Sequence, residues 1–395
     1  MSEAALEEFR LETRAWLEAN CPSGAKGEGQ VPTGSSKIAI DDPDVTLWLE
    51  RAAEKGFTVP TWPVEYGGAG LTTQQFVVVV EEMRRIGARA PLMGMGTSLI
   101  GPTLLEFGTE AQKDNHLPKI ARGEVGWCQG YSEPGAGSDL ASLRTRAEDN
   151  GDHFIINGQK IWTSGAQSAD WMFALVRTDP DAPKHEGISF VLLTMDQPGV
   201  TIKPIKLISG NSPFCETFFD NAIAKKDDLV GELNKGWTVG KRLLQYERAG
   251  MSQLVGNRPQ DPGPTLAEVA KSYLGTEDGK IADAALRHRV VVHDMNSQAF
   301  RLTQRRTVQE ADEGKTPGPA TSIFKMYGTE LQQDKSQLMC QLRGTQGLGW
   351  NGAGFTAEDL EWTRSWLSTR AASIYSGTNE IQRNIIAKRV LGLPD

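Results

Sequence analysis

The chain has 395 residues, 39% hydrophobic and 23% charged, enough apolar material for two or three packed domains and too much for a disordered or collagen-like chain. Asp and Glu outnumber Lys and Arg by 50 to 42, a net charge of -8, which argues against a general nucleic-acid binder while leaving room for a local basic pocket. No stretch approaches the roughly 20 consecutive apolar residues of a membrane span. The first residues are charged (Glu3, Glu7, Glu8, Arg10) and the four cysteines show no paired spacing, so a cytoplasmic protein with reduced thiols is expected.

Apolar residues first recur at helical spacing. Phe9, Trp16 and Leu17 mark one helix. A Pro-, Gly- and Ser-rich loop runs from Cys21 to Ser36. Val45, Trp48 and Leu49 open a second helix, which ends before Gly56. Two or three more helices fill Thr72 to Ala121. The period then changes. Phe154-Ile-Ile156, Trp171 to Val176, Ile188 to Leu193 and Val200-Thr-Ile202 are short β-branched or apolar runs. Asn150-Gly151 and Asn157-Gly158 read as turns between them, the pattern of an antiparallel β domain. Helical texture returns at Trp237, with long helices predicted over Ile281–Val308 and Ser322–Arg343 and a last one over Asn379–Leu391. The Gly256–Asp278 insert is rich in Pro and Gly. The expected fold class is α+β, with an N-terminal helical domain (1–124), a central antiparallel β domain (125–236) and a C-terminal helical domain (237–395).

The helix after Trp237 carries an anomaly. At about 100° per residue, Val239, Leu243, Tyr246, Gly250, Met251 and Leu254 share one half of its surface, and Lys241, Arg242, Gln245 and Arg248 the other. Glu247 falls within the apolar arc. A carboxylate there is costly unless paired or protonated, and burial raises its pKa, which suits a general base near neutral pH. A half-exposed position or an arginine partner would explain the spacing equally well.

Two further segments are unusually polar and glycine-rich: Trp127 to Asp139, with Ser132 and Ser138, and Asn157 to Gly165, with Trp162, Thr163 and Ser164. Glycines admit close backbone approach to a ligand, and an indole can lie on a flat ring. No dinucleotide fingerprint or phosphate loop follows a strand. The five histidines have no metal-ligand spacing, so no metal is expected.

Together, Trp62-Pro-Val-Glu-Tyr-Gly-Gly68, Tyr131-Ser-Glu-Pro-Gly-Ala-Gly-Ser-Asp139, Asn157-Gly-Gln-Lys-Ile-Trp-Thr-Ser164 and Gly377-Thr-Asn-Glu-Ile-Gln-Arg383 resemble the acyl-CoA dehydrogenase family, in order and over nearly the whole chain. The resemblance implies a C-terminal four-helix bundle, FAD between the β domain and the bundle, an acyl-CoA substrate, an electron-transferring flavoprotein as oxidant, and a homo- or hetero-oligomer. It implies that a carboxylate takes a proton from Cα while a hydride leaves Cβ for the flavin. By motif, Tyr131 and Ser132 would border the isoalloxazine, Trp162 would pack near it, and Thr163 and Ser164 would hydrogen-bond to its edge. Thr378 and Glu380 would lie near the FAD phosphates or ribose. Gln341, Gly344 and Thr345 would meet the FAD of a neighbouring subunit. Ser138, Arg248, Ser376 and Gly377 would lie against the substrate.

Two departures stand out. Most members place the catalytic Glu just before Gly-Thr in the C-terminal motif; here that place is Ser376. A minority, isovaleryl- and long-chain-type enzymes among them, carry the base on the helix that holds Glu247, and Leu243-Leu-Gln-Tyr-Glu-Arg248 matches that arrangement. The other readings are a non-catalytic or partner-dependent subunit of a heteromeric dehydrogenase, and an oxidase-type flavoprotein, which would want a carboxylate at position 376. Many members also carry Arg-x-x-Phe-Gly, where this chain has Tyr273-Leu-Gly-Thr-Glu. Both departures resemble bacterial large subunits of the pimeloyl-CoA or steroid side-chain type.

Overall fold

The structure, a computed structural model, describes residues 2–256, 264–312 and 321–394, with the side chains of 247–256, 308–312 and 321 outside that description. Two compact units emerge. One comprises Met1–Ile205 with Pro213–Gly250, the other Lys206–Ser212 with Met251–Asp395.

In the first unit, α1 (Glu3–Asn20), α2 (Pro43–Glu54), α3 (Thr73–Arg85), α4 (Gly101–Phe107) and α5 (Glu110–Ala121) precede the sheet. Their starts follow local chemistry: Asp42 caps α2 with Pro43 at its first position, and Thr72 and Thr109 form capping boxes with Gln75 and Gln112. Leu17, Trp48, Ala52, Phe57, Val79 and Met83 form the core of these helices.

Eight strands follow: β1 (Trp127–Gly130), β2 (Arg146–Asp149), β3 (His153–Ser164), β4 (Trp171–Arg177), β5 (Ile188–Thr194), β6 (Val200–Ile205), β7 (Phe214–Lys225) and β8 (Leu229–Val230). They make one sheet in the order β6-β7-β3-β2-β4-β5-β8, with β1 also on β4. The sheet is mixed, not purely antiparallel as expected, because β1 and β2 both pair with β4 in parallel. β4 is buried on both faces, which accounts for its unbroken apolar run. Phe173 and Leu175 face Leu104, Leu117 and Ile120 of the helices, while Met172, Ala174 and Val176 join Phe154, Ile156 and Phe219 behind. Asn157-Gly158 is not a turn but the middle of β3. There β7 carries an extra residue, Asn221 has φ 56°, and a Cβ on Gly158 would sit 2.7 Å from the Thr145 Cα. α6 (Gly236–Gly256) then begins against the sheet through Val239 and Leu243.

The second unit holds α7 (Leu266–Leu274), a small hairpin of β9 (Thr276–Glu277) and β10 (Lys280–Ile281), α8 (Ala284–Asp312), α9 (Thr321–Leu342), α10 (Ala357–Thr369) and α11 (Asn379–Ile385). Part of the Pro/Gly-rich insert is therefore helical; its residues 257–263 lie outside the described residues. The last predicted helix is α only to Ile385 and continues as a wider turn over Ile386–Val390. Leu266, Val269, Val290, Leu338, Met339 and Leu342 make the core. Among the described residues no helix is long and apolar enough to cross a membrane.

Candidate active site

The two polar, glycine-rich segments of the first unit come together in the sheet. The Ile161 N–H donates to the Ser132 carbonyl at 2.9 Å. Lys160 reaches across to the Tyr131 carbonyl at 3.1 Å and to Glu133 Oε1 at 2.8 Å. Tyr131 itself is buried, its ring edge-on to Phe173 and Phe190. Its main chain and the half-buried Ser132 are what this strand presents at its end.

Between Lys160 and Thr163, β3 carries one residue more than β7. This bulge puts Trp162 in the left-handed region (φ 60°) with its side chain 52% exposed, edge-on to Phe214. A bulky residue with that φ costs on the order of 1–3 kcal/mol and persists only where its surroundings hold it. Thr163 is turned into the sheet, where its hydroxyl donates to the Cys215 carbonyl and meets Thr217 Oγ1, each at 2.9 Å. Its side chain therefore does not accompany the indole, whereas Ser164 is half-buried.

Beside this lies a basic cleft of about 310 Å³, lined by Ser142, Arg144, Arg146, Arg177 and Lys184 among others. Arg177 is committed to the main chain, donating to the carbonyls of Ala141 and Lys184 at 2.7 and 3.1 Å. Arg144 and Arg146 are exposed, and Lys184 pairs with Asp139 at 2.9 Å, next to the exposed Ser138. The cleft can take phosphate groups.

α6 starts over this region. A Cβ on Gly240 would lie 3.1 Å from Leu175 and 3.5 Å from the Tyr131 hydroxyl. Arg242 and Tyr246 bond to Glu106. Val239 and Leu243 are buried at a spacing of four, and Glu247 is the next position in that series. The side chains of Glu247 and Arg248 lie outside the described residues.

In the second unit, Ser376 and Gly377 form a left-handed pair (φ 53° and 84°) immediately before α11. Thr378 caps that helix, accepting from the Ile381 N–H at 3.2 Å, and Glu380 stands in its first turn beside Arg383. Asn379 ties the turn to the start of α9 through Met326, Lys325 and Thr329. Gln341, Gly344 and Thr345 lie at the other end of α9, with Gln341 accepting from Arg289. Thr329 and Gln341 are 12 residues apart, or about 18 Å along the helix. Within one chain the structure does not bring these two groups together.

Sequence reasoning missed the buried pair Lys160–Glu133 and the basic cleft. Burial pulls the Lys160 ammonium down to about 8, against the pull of Glu133. Burial pushes the Glu133 carboxyl up, but the charge and hydrogen bond of Lys160 and the N–H groups around it hold it below the usual carboxylate range. The signal was available: Phe154, Ile156, Gly158 and Lys160 alternate, which points Lys160 inward.

Family models cover most of the chain. The acyl-CoA dehydrogenase N-terminal domain matches residues 5–124, the middle domain 128–222 and the C-terminal domain 234–391. The chain belongs to the acyl-CoA dehydrogenase family. It is 39% identical to the acyl-CoA dehydrogenase IpdE1 of Mycobacterium tuberculosis, over 98% of each chain. Among solved structures it resembles the Tcur3481–Tcur3483 steroid ACAD (30% identity, TM-score 0.74, 100% of this chain and 99% of that one). It also resembles the ChsE4–ChsE5 complex from Mycobacterium tuberculosis (28% identity, TM-score 0.71, 100% and 99%). The protein is thus an oxidoreductase of the acyl-CoA dehydrogenase class, a family of FAD-binding enzymes. The residues present fit that cofactor: an outward-facing indole, held at a strained bulge and flanked by half-buried serines, is a platform for a flat polar ring.

Proposed function

We propose that this acyl-CoA dehydrogenase oxidises a bulky, branched or polycyclic acyl-CoA to the 2-enoyl-CoA, with Glu247 as the base. The observation that carries this reading is the burial of Val239 and Leu243 on α6; Glu247 follows at the same spacing of four. Bound FAD supplies the hydride acceptor for Cβ; the chain's own residues do the rest. Trp162, Ser132 and Ser164 orient the ring. Glu247 takes the Cα proton, made acidic by the thioester. The main-chain N–H of Ser376 holds the thioester oxygen as negative charge develops there. Arg144, Arg146 and Lys184 meet the CoA phosphates beside Ser138, while Arg248 and Gly377 border the acyl group. A small Ser where most members have Glu leaves room for a bulky acyl group, and a similar solved structure carries the description steroid ACAD. Electrons pass to an electron-transferring flavoprotein, and the protein works in the cytoplasm as an oligomer in lipid or steroid breakdown.

A second reading, a subunit dependent on a partner chain, is favoured by Ser376 itself and by Tyr273-Leu-Gly in place of the arginine motif. Anaerobic mixing with an acyl-CoA panel separates the two. An enzyme bleaches its flavin at once, and Glu247→Gln lowers the bleaching rate by about 10³-fold or more. A dependent subunit bleaches only after a partner chain is added.

A further inference from the structure

Lys160 has no exposed surface, a rare situation for a lysine. Its ammonium bonds to the Tyr131 carbonyl and to Glu133, and Glu133 in turn accepts the N–H groups of Arg144 and Thr145 at 2.7 and 2.8 Å. One buried ion pair therefore ties together three segments: the end of β1, the approach to β2, and β3. It sits at the near end of the bulge that presents Trp162. At the far end Thr163 is fixed to β7, and the Gly165 N–H donates to the Pro213 carbonyl at 3.0 Å. A left-handed tryptophan relaxes to extended backbone, with its indole re-aimed, unless both flanks are immobile. A buried ion pair contributes little net stability compared with a well-packed apolar pair, so its use here is better explained by the geometry it imposes.

We infer that the Lys160–Glu133 pair is a positioning device for Trp162, fixing the register of the bulge so that the indole meets the flavin ring in one orientation. Lys160 acts through Trp162 and touches neither substrate nor cofactor. The inference rests on the placing of Trp162 at the flavin, and a double-mutant cycle tests the two separately. FAD-loaded wild type, Lys160→Met, Trp162→Ala and the double variant are compared by flavin fluorescence and by the rate of anaerobic bleaching with an acyl-CoA that wild type bleaches. Lys160→Met should raise flavin emission severalfold and slow bleaching by about tenfold, with acyl-CoA binding changed by less than about twofold. Lys160→Arg, which keeps the charge, should recover most of both. In the Trp162→Ala background, Lys160→Met should add less than about twofold. Equal losses in both backgrounds would make Lys160 ordinary core support and overturn the inference alone. No change on Trp162→Ala would remove Trp162 from the flavin site and take the inference with it. If Lys160→Met does not fold, Lys160→Met with Glu133→Gln, which buries no charge, replaces it in the cycle. Failure of that variant to fold assigns the pair to the core and overturns the inference.

Discussion

Five described non-glycine residues have a left-handed φ; three are Asn or Asp, which tolerate it, and the other two, Trp162 and Ser376, occur where the family motifs place chemistry. Trp162 and Ser376 have φ of 60° and 53°. Such strain survives when function needs the geometry. Trp162→Gly should therefore raise the melting temperature of the FAD-free protein, by about 2 °C, because glycine accepts the left-handed turn and the lost indole was half exposed. The same change should weaken FAD binding by about tenfold. Calorimetry and flavin titration on one preparation check both, and a loss of stability would show that Trp162 is not strained against its own packing. The small size of Ser376 has its own consequence. Ser376→Glu should leave short straight-chain acyl-CoAs as substrates and cut kcat/KM for branched or polycyclic ones by about tenfold or more. A uniform loss across a substrate panel would place the acyl group elsewhere.

At the scale of elements, α5 docks on the sheet through a histidine. His116 is buried edge-on to both Trp127 of β1 and Trp171 of β4, and burial, helped by Lys119, lowers its pKa from 6.5 to about 4. The unfolded chain therefore takes up this proton first as pH falls. The stability linked to His116 is complete above pH 6.5 and is lost progressively between 6.5 and 4. His116→Phe, which keeps the ring contacts, should flatten the melting temperature in that window; parallel wild-type and variant curves would refute the assignment. Elements also mark what the sequence could disclose. α1, α2, β4 and β5 were legible because each buries one stripe or both faces, and period alone reveals that. β3 was cut short at Asn157-Gly158 because the glycine answers to Thr145 and to a bulge on β7, partners distant in sequence. Lys160 and Thr163 were open to strand alternation, yet the glycine-rich texture suggested a loop. Glu247 read as the next step of a helical stripe and its side chain lies outside the described residues, whereas the pairing of Lys160 with Glu133 needed the fold, since 27 residues separate them.

At the scale of the molecule, the arrangement of α9 bears on assembly. Its two ends carry separate groups of motif residues, Ser376 to Glu380 at one and Gln341 to Thr345 at the other, about 18 Å apart. Under the proposed placement of FAD, one cofactor reached from one end of a chain would leave the other end for a second chain. α8 supplies a surface for such a neighbour. Val291, Met295 and Leu302, at offsets of four and seven, lie on one stripe with Val292 beside it, and Met295 and Leu302 are 65% and 55% exposed. Single exposed apolar residues are ordinary, but four along about three turns of one helix form a patch that a monomer seldom leaves in water. A copy of this chain, or a family partner of the same fold, would satisfy both features. The wild type should sediment as an assembly of two or more chains. Met295→Glu with Leu302→Glu should shift it to a smaller species that loses FAD on gel filtration, because charges buried in an apolar interface are not tolerated unpaired. A wild-type chain that runs as a monomer with FAD retained would separate cofactor binding from assembly, and would leave the spacing along α9 without the consequence drawn from it.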